Sequence, residues 1–361
     1  MLPSERMDPS PVRPGPRVFL HRPPYYLRND RGPRAFEPVG CTLVDNPEDA
    51  DWTVLGLYGD VPEFAGRTPN ILVITDEPRH AIGAPRLRSY RGSMVHAFDL
   101  SIGRFPDFWE GYLHFQPMPL LDPATPRSAS VMLATKQGWM IGTHAADLIG
   151  ARARLAHYGV THGLLDLYGK GWEPLPTQGE SRLGDGNRGW EDVKREILGQ
   201  YRFNFALENT YIPGYVSEKF WQALEGGCLP VYLGSPWFDR VIDPDLYVDL
   251  RRHDSPDEVF RYLEALPEAE RVERTAALQA RLTALRAEVD PGAWARWARE
   301  TAQLVVDLDA QDGFTRTTWG RSNRSVWTGW ESFPEDKVPA PPARVGLLRR
   351  VARRIRRRLR R

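Results

Sequence analysis

The residues best suited to chemistry lie in the run Tyr201–Lys219. Glu208 and Asn209 close an apolar stretch that begins at Phe203, and after a short loop come Ser217, Glu218 and Lys219. Ser217 is a good N-cap, with Glu218 and Lys219 in the first helical turn behind it. Free N–H groups and the positive end of the helix dipole favour an anion there, such as a diphosphate. A lysine in a first turn opposes that dipole, so Lys219 is expected to answer something negative, and Glu218 to accept from ribose or sugar hydroxyls. Taken singly, Glu208–Asn209 also fits an ordinary strand-ending turn, and Glu218–Lys219 a solvated helix start. Their order and spacing together favour a site.

Such a site needs a strand to deliver it and a helix to receive it. Apolar runs with turn residues around them predict strands at 17–20, 52–58, 70–75, 94–102, 131–135, 164–168, 203–207, 229–233 and 246–250. The continuous run Ile71-Leu72-Val73-Ile74 reads as a strand covered on both faces. Helical spacing appears at 145–158, 190–199, 217–226, 256–266, 268–288 and 292–307. The region before 130 reads as a first α/β domain whose helices are hard to place. From about 130 strand and helix alternate, which argues for a parallel sheet with helices on both faces, whose ligand crevice lies at the carboxyl ends of the strands. The division expected is a leader over 1–16, an α/β domain over 17–129, a second over 130–310, a linker rich in Trp and Pro over 311–343, and a tail over 344–361.

Composition narrows the class. The chain has 361 residues, 41% hydrophobic and 26% charged, as an ordinary globular protein does. Its net charge of +1 hides an asymmetry, because 344–361 holds arginines and no acid, leaving an acidic body before it. Two cysteines, Cys41 and Cys228, supply neither a disulfide framework nor a zinc pattern. A reducing compartment is the natural reading. The leader has no apolar run, which excludes a signal peptide there, and no stretch is long and apolar enough to span a bilayer. A cytoplasmic protein is expected.

The run Phe203–Lys219 resembles the donor-binding signature of the α1,3/4-fucosyltransferases, family 10 glycosyltransferases, of bacterial type. The likeness continues through Ala223, Gly227, Leu229-Pro230-Val231 and Gly234-Ser235-Pro236, and reaches back to Leu167–Trp172 and to the basic helix around Arg152. It implies two facing Rossmann-like α/β domains (GT-B type), the donor in the C-terminal one, and a C-terminal basic amphipathic helix. It implies GDP-fucose as donor substrate, with no cofactor and no metal, and a glycan or glycolipid acceptor. Asn209, Tyr215, Glu218 and Lys219 fall on the family's donor contacts, and Arg152 on its diphosphate contact, with Arg154 as competitor. Lys136 falls in the first loop of the donor domain. Glu77, after the strand at 71–75, is the implied general base, with Asp76 as the alternative. The implied reaction inverts the anomeric carbon and forms an α1,3-type linkage. Pro213 departs from the family pattern in the donor loop.

Other readings are a same-fold transferase using another nucleotide sugar, or a non-catalytic sugar- or nucleic-acid-binding protein using its arginine tail. Gly184–Gly189 matches GxGxxG but follows a loop rather than a strand, so it fails as a dinucleotide motif. Asp243-Pro244-Asp245 and Asp307-Leu308-Asp309 resemble metal-binding triplets away from strand ends. His144 and His157 read as helix-surface residues, and Cys228 as a small buried one. In the tail, Val345, Leu348, Ala352, Ile355 and Leu359 form an apolar stripe among arginines. That pattern suits an anionic membrane surface better than nucleic acid and predicts a peripheral protein on the inner membrane face.

Overall fold

A computed structural model of the chain describes residues 15–28, 31–56, 60–75, 86–99, 108–113, 117–125, 128–134, 148–180, 189–211, 214–235 and 238–310. They form two compact units. Among the described residues, the first takes those up to 99 and those from 292, and the second takes 108–291.

The first unit holds strands β1 (Arg17–His21), β2 (Thr42–Leu43), β3 (Trp52–Leu55), β4 (Asn70–Thr75), β5 (Arg86–Tyr90) and β6 (Ser93–Asp99). Their order is β2-β1-β3-β4-β6-β5, parallel except for β5 against β6. The Ile71–Ile74 run lies in β4 with a strand on either side and is fully buried, as its unbroken apolar pattern requires. Two short helices, α1 (Arg31–Phe36) and α2 (Val61–Phe64), accompany this sheet. Val61 and Phe64 pack on Leu55, Ile71, Val73 and Val95.

The second unit holds α3 (Phe108–Leu113), β7 (Ser128–Leu133), α4 (Ile149–Thr161), β8 (Leu165–Tyr168), α5 (Trp190–Leu198), β9 (Tyr201–Leu207), α6 (Glu218–Glu225), β10 (Leu229–Leu233), β11 (Val248–Asp249), α7 (Pro256–Ala265) and α8 (Glu268–Glu288). All five strands are parallel, in the order β11-β10-β9-β7-β8. Rossmann-like winding of both units bears out the expected fold class. The proposed tail helix lies outside the described residues.

One boundary differs from the sequence reading. Helix α9 (Ala293–Asp309), assigned to the donor domain by chain order, packs with the first unit against α1. Tyr26 Oη lies 3.2 Å from Thr301 Oγ1, Trp52 Nε1 donates to Asp309 Oδ1 at 3.0 Å, and the Arg31 guanidinium sits 4.7 Å from the Trp294 ring centre. An amphipathic helix goes wherever its apolar face is best covered, and the partners of this one are hundreds of residues upstream.

Candidate active site

In the second sheet the chain leaves β7 for β8 on one side and reaches β9 on the other. The carboxyl ends of β7 and β9 are therefore its switch point, where connections leave to opposite faces and open a crevice. Strand β9 delivers Glu208, Asn209 and Thr210 to that edge, all buried.

Glu208 organises the turn. Its carboxylate is wholly buried and accepts from the Ser217 amide and the Ser217 hydroxyl, both at 2.7 Å. Ser217 caps α6 as its residue type predicts, its Oγ facing the Lys219 amide. Lys219 curls back over the cap. Its Nζ donates to Ser217 Oγ at 2.9 Å and lies 3.5 Å from Glu208 and 3.6 Å from Glu218. Burial pushes the Glu208 carboxyl above its ordinary range, while the Lys219 ammonium and the two Ser217 bonds pull the other way. The first-turn lysine thus answers a buried carboxylate of its own chain, besides whatever ligand reaches it.

Arg152 comes from α4. It is buried, and its Nη2 donates to the Leu207 carbonyl at 2.7 Å, which fixes the guanidinium at the end of β9. Arg154, its competitor, is exposed on the same helix. The Leu148 amide donates to the Asn209 carbonyl at 3.0 Å, tying the start of α4 to the same turn. Tyr215 is buried beside Val216 in the loop before the cap. Five of the six residues singled out from the sequence (Arg152, Asn209, Tyr215, Glu218 and Lys219) therefore belong to segments that meet at one strand edge. Glu77, the sixth, lies outside the described residues, as do Asp76, Lys136, His144, Pro213 and the tail.

Neighbouring strand ends add the Gly234–Ser235 pair that the likeness included, and a cluster around Arg251 that sequence reasoning did not find. Gly234 follows β10 so closely over Tyr232 that a side chain there would overlap the phenol and come within 2.8 Å of Glu208 Cγ. Ser235 Oγ accepts from the Gly214 amide at 3.1 Å, holding the loop before α6. Beyond β11, Arg251 makes a two-pronged pair with Asp249 (both bonds 2.8 Å) and a 2.6 Å bond to Asp239. Tyr247 also donates to Asp239, at 3.1 Å. The signal for this cluster was Asp249 at a strand end with an arginine two residues on.

The Asp-x-Asp triplets resolve otherwise. Asp243 accepts from the Asp245 amide at 3.0 Å, and Asp245 pairs with Arg252. Asp307 and Asp309 accept from Gln303 and Trp52. Among the described residues no group of three or more His, Cys, Asp or Glu is placed to hold a metal ion. Of the GxGxxG stretch only Gly189 is described, ahead of α5. His157 is exposed on α4, and Cys41 and Cys228 are both buried and outside any disulfide.

A buried arginine, a capped helix N-terminus and a carboxylate-backed lysine at a switch point define an anion-binding α/β domain of the nucleotide-binding kind. Residues 149–274 match the model for glycosyltransferase family 10 (fucosyltransferase), C-terminal part. A 3-galactosyl-N-acetylglucosaminide 4-α-L-fucosyltransferase of Homo sapiens is 29% identical over 160 residues, 42% of this chain and 40% of that protein. A 4-galactosyl-N-acetylglucosaminide 3-α-L-fucosyltransferase of Pan troglodytes is 32% identical over 119 residues, 32% of this chain and 29% of that protein. The chain thus matches well under half the length of these relatives. Among solved structures, an α1,3-fucosyltransferase with GDP is similar at 15% identity and a TM-score of 0.43, over 74% of this chain and 82% of that one. The β-glucosyltransferase of T4 phage is similar at 9% identity and a TM-score of 0.47, over 81% and 99%. Overlaps this loose transfer no residue's role.

Proposed function

We propose that the chain is an inverting glycosyltransferase that moves L-fucose from GDP-fucose to a hydroxyl of an acceptor glycan, in an α1,3-type linkage. The observation that carries this is the Arg152–Glu208–Ser217–Lys219 arrangement at the β7/β9 switch point, inside the segment that matches the family 10 model. The names of the relatives support fucose as the sugar and a galactosyl-N-acetylglucosaminide as the kind of acceptor.

A sugar hydroxyl is a weak nucleophile, so a carboxylate takes its proton as it attacks the anomeric carbon. Glu77 has that role here on the strength of the family likeness, with Asp76 as the alternative. The sugar passes through an oxocarbenium-like state, and one displacement inverts its configuration. The leaving diphosphate gathers negative charge, which Arg152, Lys219 and the amide end of α6 stabilise without a metal. Asn209, Tyr215 and Glu218 hold the nucleotide and sugar. The tail over 344–361 places the enzyme on the inner face of an anionic membrane.

The test is a thermal-shift and hydrolysis panel of GDP- and UDP-sugars with wild-type protein and Glu77→Gln. Selective stabilisation by GDP-fucose, turnover by wild type and donor binding without transfer by E77Q is the expected result. A response to UDP-sugars alone points to the same-fold transferase with another donor. Stabilisation without turnover by wild type points to a binding protein.

A further inference from the structure

The first sheet has a switch point of its own, between β1 and β3, because β2 flanks β1 on the other side. Strand β1 ends at His21, opposite Leu55 of β3. The two exits touch backbone to backbone. The Gly56 amide donates to the Arg22 carbonyl at 3.1 Å, and a side chain at Gly56 would overlap that carbonyl. Arg22 is held at φ 42°, the left-handed region that a residue with a side chain seldom adopts. Such strain persists where surrounding structure imposes it, and it concentrates at ligand sites.

Asp60 stands in the capping position of α2, yet its carboxylate caps nothing. It faces the crevice instead, with Oδ2 3.8 Å from His21 Nε2 and Oδ1 3.6 Å from Arg22 Nη1. Among the described residues neither His21 Nε2 nor Asp60 Oδ2 has a hydrogen-bond partner, and both atoms are enclosed. The imidazole is clamped by aromatic neighbours, 4.6 Å from the Phe64 ring centre and stacked on Phe19. It still keeps 24% of its surface exposed. With Nε2 enclosed, Nδ1 is the nitrogen offered outward.

A carboxylate behind one imidazole nitrogen keeps the proton on that nitrogen and leaves the other as an acceptor. Asp60 repels an anion, and Arg22 balances its charge. Two ionisable residues other than arginine are too few for a metal site. What remains is a neutral donor, and a sugar hydroxyl is one. We propose that His21, oriented by Asp60, is a binding site for a hydroxyl of the acceptor glycan, which donates to His21 Nδ1. This rests on the transferase reading for the identity of the glycan, though not for the existence of the site.

The test uses the full chain without donor. Galactosyl-N-acetylglucosaminides of both linkages and their component monosaccharides are titrated while the imidazole nitrogens are followed by NMR, with the His21 signal assigned by its loss in His21→Gln. A saccharide that shifts His21 Nδ1 in wild type and not in Asp60→Asn supports the site. In transfer assays, H21Q and D60N are expected to raise acceptor KM about three- to tenfold while GDP-fucose hydrolysis without acceptor stays at the wild-type rate. A His21 signal unmoved by every saccharide, or variants with wild-type acceptor KM, overturns the proposal. A shifted His21 signal in a protein that ignores GDP-fucose sinks the donor reading alone and leaves this site standing.

Discussion

Ser217 donates twice to Glu208, amide to Oε1 and hydroxyl to Oε2, each at 2.7 Å. A wholly buried carboxylate thus holds the N-cap residue of α6 by both of its polar groups. Lys219, whose Nζ is 3.5 Å away, supplies the opposite charge. Strand β9 and helix α6 are locked together at the carboxyl edge of the sheet.

Glu208→Ala removes the acceptor of both bonds and the partner of a mostly buried ammonium. The expected loss is about 2–3 kcal/mol of stability. Ser217→Ala, which removes the cap and one of the two bonds, is expected to cost about 1–2 kcal/mol. Urea unfolding checks the order, with lower midpoints at an unchanged slope.

Arg152 is buried against the end of β9 and Arg154 lies on the surface. Arg152→Ala is expected to weaken GDP binding by about ten- to a hundredfold, the worth of one charge-assisted contact. Arg154→Ala is expected to bind GDP as wild type does. Isothermal titration of both variants with GDP decides it, and equal losses would remove Arg152 from the site.

Gly234→Ala tests how tightly β10 closes over the carboxylate. The added methyl meets the Tyr232 phenol and Glu208 Cγ, neither of which has room to move. Overpacking of this kind costs about 1–3 kcal/mol. A melting temperature equal to wild type would show that the turn adapts.

His96 carries a pH dependence of stability. It is buried on β6 with its ring centre 5.1 Å from that of Trp52, and burial pulls its pKa down from 6.5 to about 4. The folded state therefore prefers the neutral ring. This contribution is fully present above pH 6.5 and is lost as the pH falls toward 4, at most about 3 kcal/mol. His96→Phe is expected to flatten that part of the profile, which unfolding at pH 7 and pH 4.5 measures.

Most strands were legible because each buried one writes a largely apolar run, unbroken in Ile71–Ile74 and interrupted only by Asn204 in Phe203–Leu207. Strand β5, mostly polar in Arg86-Leu87-Arg88-Ser89-Tyr90, was not, and neither were the short elements β2, α1, α2 and α3. They are too brief to show a period, and their stability comes from what they rest on. The site was legible for a related reason. A cap, a first-turn lysine and a strand-ending pair are neighbours in the chain, so local chemistry displays them together.

The sequence by itself determined the alternation that makes the second, parallel sheet, the buried strand β4 of the first, and the capped helix after β9. Those features depend on residues a few positions apart. Only the tertiary structure decided that Glu208 faces Ser217 and Lys219, and that Arg152 rather than Arg154 reaches β9. It also brought α9 back to the first unit and set Asp60 against His21. Each of these depends on which face of an element is buried against a distant partner, and packing across the whole chain settles that choice.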